Sequence, residues 1–290
     1  MSTPRVILRW QDTNNIELGH KIYRSVTPMD IQNMPAPIAT LNPNTTEYTD
    51  EAVIEGNFYY YRVSAYTTNG EEFSNEVYAE ARLLGPGSDV LIAGDMTAGF
   101  FGEVDSSELI TGDALAMEIG LSEGTSINNT TSWLKFSYED KVLFIPKLNL
   151  RYGVTWRNIY DAGALYGTDD TGIFPTTTPK VQDARVTVGS HTFRVRLIRG
   201  NEADPSATLG REWTSLFYPI HSSDITQQGW GINYSNEDIG LSGYIGLQER
   251  HIGNTNYPRV VNAGVGIDAA SQTSSIDFGI VWRPVLELIA

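Results

Sequence analysis

The stretch that decides the fold reads YYYRVSAY and runs from residue 59 to residue 66. Its side chains alternate between two faces, as expected of a half-buried β-strand. One face consists of Tyr59, Tyr61, Val63 and Ala65, and the other consists of Tyr60, Arg62, Ser64 and Tyr66. The pair Asn69-Gly70 follows, and both residues tolerate the positive φ of a hairpin turn. The stretch therefore predicts a long strand that turns back into a neighbouring strand.

Short strand patterns flank this segment. Near the start of the chain, Val6, Leu8 and Trp10 alternate with Ile7 and Arg9, which is the period of a half-buried strand. Four further short runs have strand character and are separated by turn residues or prolines: 21–24, 38–41, 47–50 and 76–81. Several short strands divided by turn signals are typical of a β-sandwich.

These residues together resemble a fibronectin type III domain. The matches follow the family's order and consist of Trp10, Gly56 and Gly70 with the segments 22–25, 46–50, 59–66 and 74–77. The resemblance covers about residues 4–82 and implies an immunoglobulin-like sandwich. It also implies that Tyr59 is the tyrosine-corner residue of this domain, with its hydroxyl bonded to upstream backbone.

The sequence departs from the family at its beginning. The strand around Trp10 resembles the family's second strand, and almost nothing precedes it. We therefore expect the first strand to be missing, which would leave one sheet edge open. Because proteins usually cover or pair such an edge, we expect another part of this chain or a neighbouring subunit to cover it.

The chain divides at LLGPGS, residues 83–88, because Gly-Pro-Gly continues neither a strand nor a helix. We therefore predict a sandwich over residues 1–82, a linker over 83–88 and a larger β-rich domain over 89–290. The length of 290 residues suits two domains, and a hydrophobic content of 41% is enough to form a core.

The second domain has mostly strand patterns. Residues 109–121 are among the predicted strands, and 185–188 with 191–196 predict a hairpin in which Val186 lies opposite Phe193. Helical spacing predicts one or two short helices, at 156–164 and 212–218, with Pro219 ending the second. The apolar tail over 280–288 predicts a terminal strand docked in a sheet. The predicted fold class is mainly β, with an α+β second domain.

The second domain has a resemblance of its own. The helical segment 211–218, the glycine- and aromatic-rich stretch 229–250 and the closing WRPVLEL at 282–288 resemble modules at the ends of bacteriophage virion proteins. Some of these modules have a C-type-lectin-like fold, an α/β arrangement that displays irregular loops. The resemblance implies a structural protein of a virus particle and, as one possibility, this lectin-like fold.

Composition limits the classes of partner. The chain has 35 acidic and 20 basic side chains, and its net charge of −15 argues against binding to nucleic acid or to an anionic membrane. It has no cysteine, which removes disulfides and thiol chemistry. The start lacks the basic and apolar regions of a secretory signal, and no apolar run reaches the length of a membrane span. We therefore expect synthesis in a host cytoplasm and no membrane insertion.

Catalytic patterns are weak. The four histidines are not at metal-ligand spacing, and no His-Glu-x-x-His or Gly-x-Ser-x-Gly motif occurs. Asp169-Asp170 lacks the oxygen spacing of a calcium loop and is interpreted as a solvated turn. A catalytic triad assembled from distant residues and a pair of glycosidase carboxylates both stay open from sequence. We expect no catalytic residue, no cofactor and no metal.

Aromatic residues offer the more specific signal. Trp230, Tyr234, Tyr244 and Tyr257 lie in a segment rich in Gly, Asn and Ser. Rigid rings beside small polar residues suit recognition of a sugar or a protein. The alternative is that the four side chains belong to the core of a loop-rich domain.

The sequence thus favours a non-enzymatic structural component of a bacteriophage particle, in the tail, collar, neck or capsid surface. Its expected partners are other virion proteins, copies of itself and a host-surface glycan or protein. Two alternatives stay open at this stage. One is a carbohydrate-active enzyme with an accessory fibronectin-like module, and the other is a bacterial adhesin.

Overall fold

The computed structural model describes residues 3–12, 18–173, 178–200, 211–221, 229–251, 254–262, 270–272 and 275–289. Over these residues the chain is mainly β, with twenty strands and three helices. The predicted mainly β fold class is therefore confirmed. The chain forms two compact units, and the division falls between Leu84 and Gly85.

The strands of the first unit form two sheets. They are β1 (Val6–Arg9), β2 (Gly19–Ser25), β3 (Ala39–Leu41), β4 (Glu47–Asp50), β5 (Phe58–Thr67), β6 (Gly70–Phe73) and β7 (Val77–Glu80). β1 pairs with β4, and the other sheet has the order β3-β2-β5-β6 with β7 also paired to β5. All of these pairs are antiparallel.

The core of the first unit follows from the alternation along β5. Tyr59 and Tyr61 are buried and pack with Ile22 and with Val6 and Leu8 of the smaller sheet. The backbone N–H of Ile54 donates to the Tyr59 hydroxyl over 3.1 Å. This bond to upstream backbone is the one that the fibronectin-like resemblance implies for Tyr59.

The smaller sheet has an open edge. β1 is bonded to β4 along one side, and within the described residues no strand pairs with its other side. Residue Arg5, which precedes β1, forms an isolated antiparallel bridge with Arg82. Apart from this bridge, the edge that the sequence predicts to be open has no partner strand over the described part of the chain.

The second unit contains two larger sheets. Its strands are β8 (Ala93–Gly94), β9 (Ala98–Val104), β10 (Thr125–Ser126), β11 (Trp133–Tyr138), β12 (Lys141–Pro146), β13 (Arg151–Thr155), β14 (Arg185–Val188), β15 (His191–Leu197), β16 (Tyr244–His251), β17 (Asn254–Asn262), β18 (Ala270–Gln272), β19 (Gly279–Trp282) and β20 (Pro284–Leu288). One sheet has the order β14-β15-β20-β12-β11-β9-β8, and the other has the order β10-β13-β19-β16-β17-β18.

Three helices accompany these sheets in the described ranges: α1 (Gly112–Glu118), α2 (Trp156–Asp161) and α3 (Arg211–His221). The helix predicted at 156–164 is present as α2, which starts at the predicted residue but ends at Asp161, and Thr155 caps it in a capping box with Asn158. Among the helices described, none combines the length and apolarity needed to cross a bilayer.

The predicted strand over residues 109–121 is wrong. The side chain of Thr111 accepts a bond from the backbone N–H of Ala114, so it caps the helix α1 that begins at the next residue. This helix buries Leu115 and Ala116 on one side and exposes Met117. The apolar run has helical spacing as well as strand-like composition, and the cap decides between them.

The sequence predicts that helix α3 ends at Pro219. This prediction is wrong, because the helix continues to His221. The two helical residues after Pro219 include Ile220, whose side chain is completely buried. The backbone N–H groups of Trp230 and Tyr234 bond to the carbonyls of Pro219 and Ile220, which have no partner within the helix. Tertiary contacts therefore outweigh the cost of a proline within the helix.

The predicted hairpin in the seven-stranded sheet is confirmed. The hairpin pairs Val188 with His191 and Val186 with Phe193. The tail is docked as predicted, but the single strand predicted over 280–288 is wrong, because the chain passes from one sheet to the other at Arg283. Residues up to Trp282 belong to β19 of the six-stranded sheet, whereas β20 lies between β15 and β12 and is buried along its whole length. The last strand of the chain is therefore an interior strand of the sheet.

Arg283, directly before β20, is completely buried. Its Nη2 donates to the carbonyls of Lys147 and Ile239, and its guanidinium lies 5.3 Å from the centre of the Phe217 ring. Burial lowers the pKa of Arg283 to about 9. The cation thus joins three segments of the chain through carbonyl and aromatic contacts.

A buried ion network holds β20 to its neighbours. Arg196 of β15 donates to both carboxylate oxygens of Glu212 over 2.6 and 2.7 Å, and to Glu287 of β20 over 3.0 Å. Lys141 donates to the second oxygen of Glu287 over 2.7 Å. Because Arg196 and both glutamates are buried, loss of one partner would leave an uncompensated charge in the core.

We expect Glu212→Ala to reduce the free energy of unfolding by about 3–5 kcal/mol, because it leaves Arg196 with one carboxylate partner instead of two. Urea denaturation of the full chain measures the change. Glu108→Ala, at an exposed glutamate, is the control and should change the free energy by less than about 0.5 kcal/mol. Equal effects of the two variants would contradict the network's role.

The same network predicts a pH dependence. Burial opposes ionisation of Glu287, but the charge of Arg196 and the bond from Lys141 outweigh it and lower the pKa of this carboxyl. The ionised Glu287 carboxylate therefore stabilises the folded state at pH values above its unfolded pKa of about 4.3. This contribution declines as the pH falls further. The stability difference between wild type and Glu287→Gln, measured in urea, should narrow from pH 7 to about pH 3. A constant difference would refute the assignment.

Candidate interaction surface

Three aromatic rings form a contiguous surface on the first unit. Tyr60 of β5 lies directly opposite Tyr78 of β7, and their ring centres are 4.5 Å apart. Phe58, two residues before Tyr60 on the same side of β5, stacks on Tyr78 at 5.0 Å. These three side chains, named the aromatic platform below, lie on the face opposite to the buried Tyr59 and Tyr61.

The aromatic platform is accessible to solvent. Phe58 is 47% exposed and Tyr78 is 56% exposed. β5 beneath them is paired on both sides, with β2 along one edge and with β6 and β7 along the other. The rings are therefore fixed in position by the sheet while their outer surfaces stay uncovered, which is typical of a recognition surface.

A polar cluster lies further along the same face. The carboxylate of Glu71 accepts hydrogen bonds from Lys21, Tyr23 and Ser64 over 2.5–2.7 Å. Burial opposes the ionisation of Glu71, but these donors outweigh it and lower its pKa. Burial and the bond to Glu71 raise the pKa of Tyr23 to about 12. The face thus combines an exposed apolar end with an end that stays charged at neutral pH.

Trp230 and Tyr234, two of the four aromatic residues selected from the sequence, pack against the core of the second unit. The Tyr234 hydroxyl donates to Glu103 over 2.7 Å, and Lys147 lies 4.7 Å from the centre of the Tyr234 ring. Burial and the Glu103 bond raise the pKa of this hydroxyl. The alternative interpretation, that these side chains serve the core, therefore describes both residues.

The other two selected residues lie on neighbouring strands. Tyr244, at the start of β16, is 37% exposed and contacts the half-exposed Phe278 edge-on, with ring centres 5.6 Å apart. Tyr257 belongs to β17, and its side chain lies outside the described part of the structure. Of the predicted surface, the structure therefore places Tyr244 in an exposed aromatic pair, with a partner that the sequence did not suggest.

In the predicted solvated turn at Asp169-Asp170, the side-chain contacts of Asp170 are with residues close to it in sequence. The Asp170 carboxylate accepts bonds from Thr168 and from the backbone of Gly172. Over the described residues, no group of three or more His, Asp or Glu side chains is arranged to hold a metal ion.

Phe58 and Tyr78 were missed at the sequence level. The alternation along β5 identifies the face of Tyr60, so Phe58 could have been added from the same period. Tyr78 could not, because its place beside Tyr60 depends on the register between β5 and β7.

Comparison with known proteins adds no relative. A scan against protein-family models finds no match, and a search of curated proteins also finds none. The resemblances to fibronectin type III domains and to bacteriophage virion modules therefore rest on residues of this chain alone.

Tyr60 and Tyr61 are adjacent in sequence but have opposite environments. Tyr61 is buried, and its hydroxyl donates over 2.9 Å to Asp50, which also binds Arg24. Burial and the bond to Asp50 raise the pKa of Tyr61. Tyr60 belongs to the aromatic platform and is half-buried.

We expect Tyr61→Phe to lower the free energy of unfolding by about 1–3 kcal/mol, because the buried Asp50 loses a hydrogen-bond donor. The matched control is Tyr60→Phe, which should change it by less than about 0.5 kcal/mol. Urea denaturation of both variants gives the comparison. A larger loss for Tyr60→Phe would mean that the platform serves folding rather than recognition.

Proposed function

We propose that this protein is a non-enzymatic structural component of a bacteriophage particle and that it binds other virion proteins through the aromatic platform. The observation that carries the proposal is a set of three contacting rings on a firmly paired sheet, of which Phe58 and Tyr78 are exposed and Tyr60 is half-buried. Tyrosine and phenylalanine contribute large contact areas and lose little conformational entropy on binding. Residues of this kind dominate the binding energy of many protein interfaces.

Other features support a role in assembly. The unpaired side of β1 offers backbone N–H and C=O groups to an extended segment of a neighbouring subunit. The closing segment 282–288, which carries the resemblance to virion modules, consists of the last residue of β19, Arg283 and strand β20, and it is buried. In a particle, many copies would act together, so that weak contacts add to a stable assembly. The place that we propose is the tail, collar, neck or capsid surface.

Host-surface attachment is the second part of the proposal. The exposed pair of Tyr244 and Phe278 supports it, because it places aromatic area on the outside of the second unit. Aromatic rings of this kind bind both proteins and the apolar faces of sugars.

Mass spectrometry of purified particles tests the assignment. We expect the protein to be recovered with particles from the phage that encodes it, in a fixed ratio to the other structural proteins. Its absence from infectious particles would overturn the proposal.

We further expect the double variant Phe58→Ser/Tyr78→Ser to reduce incorporation into particles by about tenfold or more, since loss of ~1.4 kcal/mol of binding energy corresponds to that factor. Wild-type and variant protein are supplied in trans to a phage that lacks the gene, and incorporation is quantified by mass spectrometry. The control is Val26→Ser/Ile31→Ser, which removes two exposed apolar side chains outside the platform. Equal incorporation of both double variants would contradict a role for the platform.

A further inference from the structure

A hollow of about 460 Å³ lies in the second unit, between the end of α1 and strand β13. Pockets for small ligands commonly have volumes of about 300–1,000 Å³. The residues that line this hollow are Asp113, Ala116, Met117, Gly120, Leu121, Ser122 and Arg151. Neither the fold nor the proposed assembly surface accounts for this arrangement.

One side of the hollow is apolar. Ala116 and Leu121 are buried beneath the surface, whereas the Met117 side chain is 75% exposed. A ligand that covers this apolar side chain removes its surface from water, which contributes favourably to the free energy of binding. Methionine adapts its shape to a ligand because its side chain is unbranched and flexible.

The other side carries two groups of opposite charge that are only loosely paired. Nη1 of Arg151 lies 3.9 Å from Oδ1 of Asp113 and 3.5 Å from the carbonyl oxygen of Leu121. The first distance is too long for a hydrogen bond, and the second is at its limit. Nε of Arg151 is buried and has no hydrogen-bond partner, while the Asp113 side chain is 48% exposed. The buried Nε is out of reach of a ligand, so the groups available to one are the Asp113 carboxylate and the loosely bonded Nη1 end of Arg151.

The two opposite charges disfavour a ligand with a net charge, and the apolar side favours one that also offers C–H surface. A ligand with a net charge would be attracted by one of the two groups and repelled by the other, whereas a neutral ligand with adjacent hydroxyl groups can bond to both. One hydroxyl oxygen accepts from the guanidinium, and its neighbour donates to the carboxylate. The C–H groups of the same ring can pack against Met117 and Leu121. We propose that this hollow binds a neutral sugar unit.

This inference deepens the attachment role in the proposed function and rests on it. The two can fail separately, because sugar binding is measured on the purified protein whereas particle membership is measured by mass spectrometry. A protein that is found in particles but binds no neutral sugar would overturn this inference alone.

The experiment uses the full chain with ¹³C-methyl methionine, whose few signals are resolved by NMR. The Met117 signal is assigned from its loss in Met117→Leu. Glucose, galactose and mannose are titrated in turn, and we expect at least one of them to shift the Met117 signal in a saturable manner. Acetate and a short diamine serve as anionic and cationic probes.

Asp113→Ala should weaken the binding of that sugar by about tenfold or more, because one charged hydrogen-bond partner is lost. Its melting temperature should stay close to that of wild type, since Asp113 is half-exposed and loosely paired. The matched control is Glu118→Ala, at an exposed carboxylate of α1 that does not line the hollow. It should bind the sugar as wild type does.

Three results would overturn the inference. The first is the absence of any saturable Met117 shift with the three sugars. The second is a shift with acetate or the diamine and none with sugar, which would indicate a site for a charged ligand. The third is an affinity of Asp113→Ala equal to that of Glu118→Ala.

Discussion

The larger unit depends on the ion network that holds its last strand in the middle of a sheet. β20 lies between β15 and β12, and its residue Glu287 binds Arg196 on one neighbour and Lys141 on the other. Arg196 continues to Glu212 on α3, so a single guanidinium connects the sheet to the helix that packs on it. Because Arg196, Glu212 and Glu287 are buried, each of these charges is tolerated only while its partners stay in place.

The smaller unit uses a related arrangement. Asp50 is buried and binds both Arg24 and the hydroxyl of Tyr61, so that the two sheets are joined by a charged group as well as by apolar packing. In each unit a buried carboxylate restricts how the strands can shift. This rigidity bears on function, since the rings of Phe58, Tyr60 and Tyr78 are held in a fixed arrangement before any partner arrives.

The polar and aromatic groups therefore have unusual places in this protein. Charged side chains stabilise the interior, while several large aromatic side chains stay on the outside. The outer aromatic groups contribute little to the core, and their exposure is more readily explained by contacts with other molecules. Asp113 and Arg151 are loosely paired, in contrast with the tight ion pairs of the interior. This contrast supports the proposed ligand site.

Local patterns in the sequence determined the local structure where one signal dominated. The alternation along residues 59–66 predicted β5, the strand patterns at 185–188 and 191–196 predicted the hairpin of β14 and β15, and the helical spacing from residue 156 predicted α2. Prediction failed where two signals competed, as in the segment that became α1 and in the helix that continues past Pro219. In both cases, a cap or burial of a particular side chain decided the outcome.

The sequence by itself determined which residues alternate, turn and cap, because these properties depend on neighbours along the chain. Only the tertiary structure decided which aromatic side chains are exposed and which residues form the hollow. Tyr78 reaches Tyr60 through the register of two strands, and Arg151 reaches Asp113 through the packing of β13 beside α1. Trp230 and Tyr234 are partly buried against a core whose residues no local pattern places beside them. Such contacts join residues far apart in sequence, and their geometry exists only once the sheets have formed.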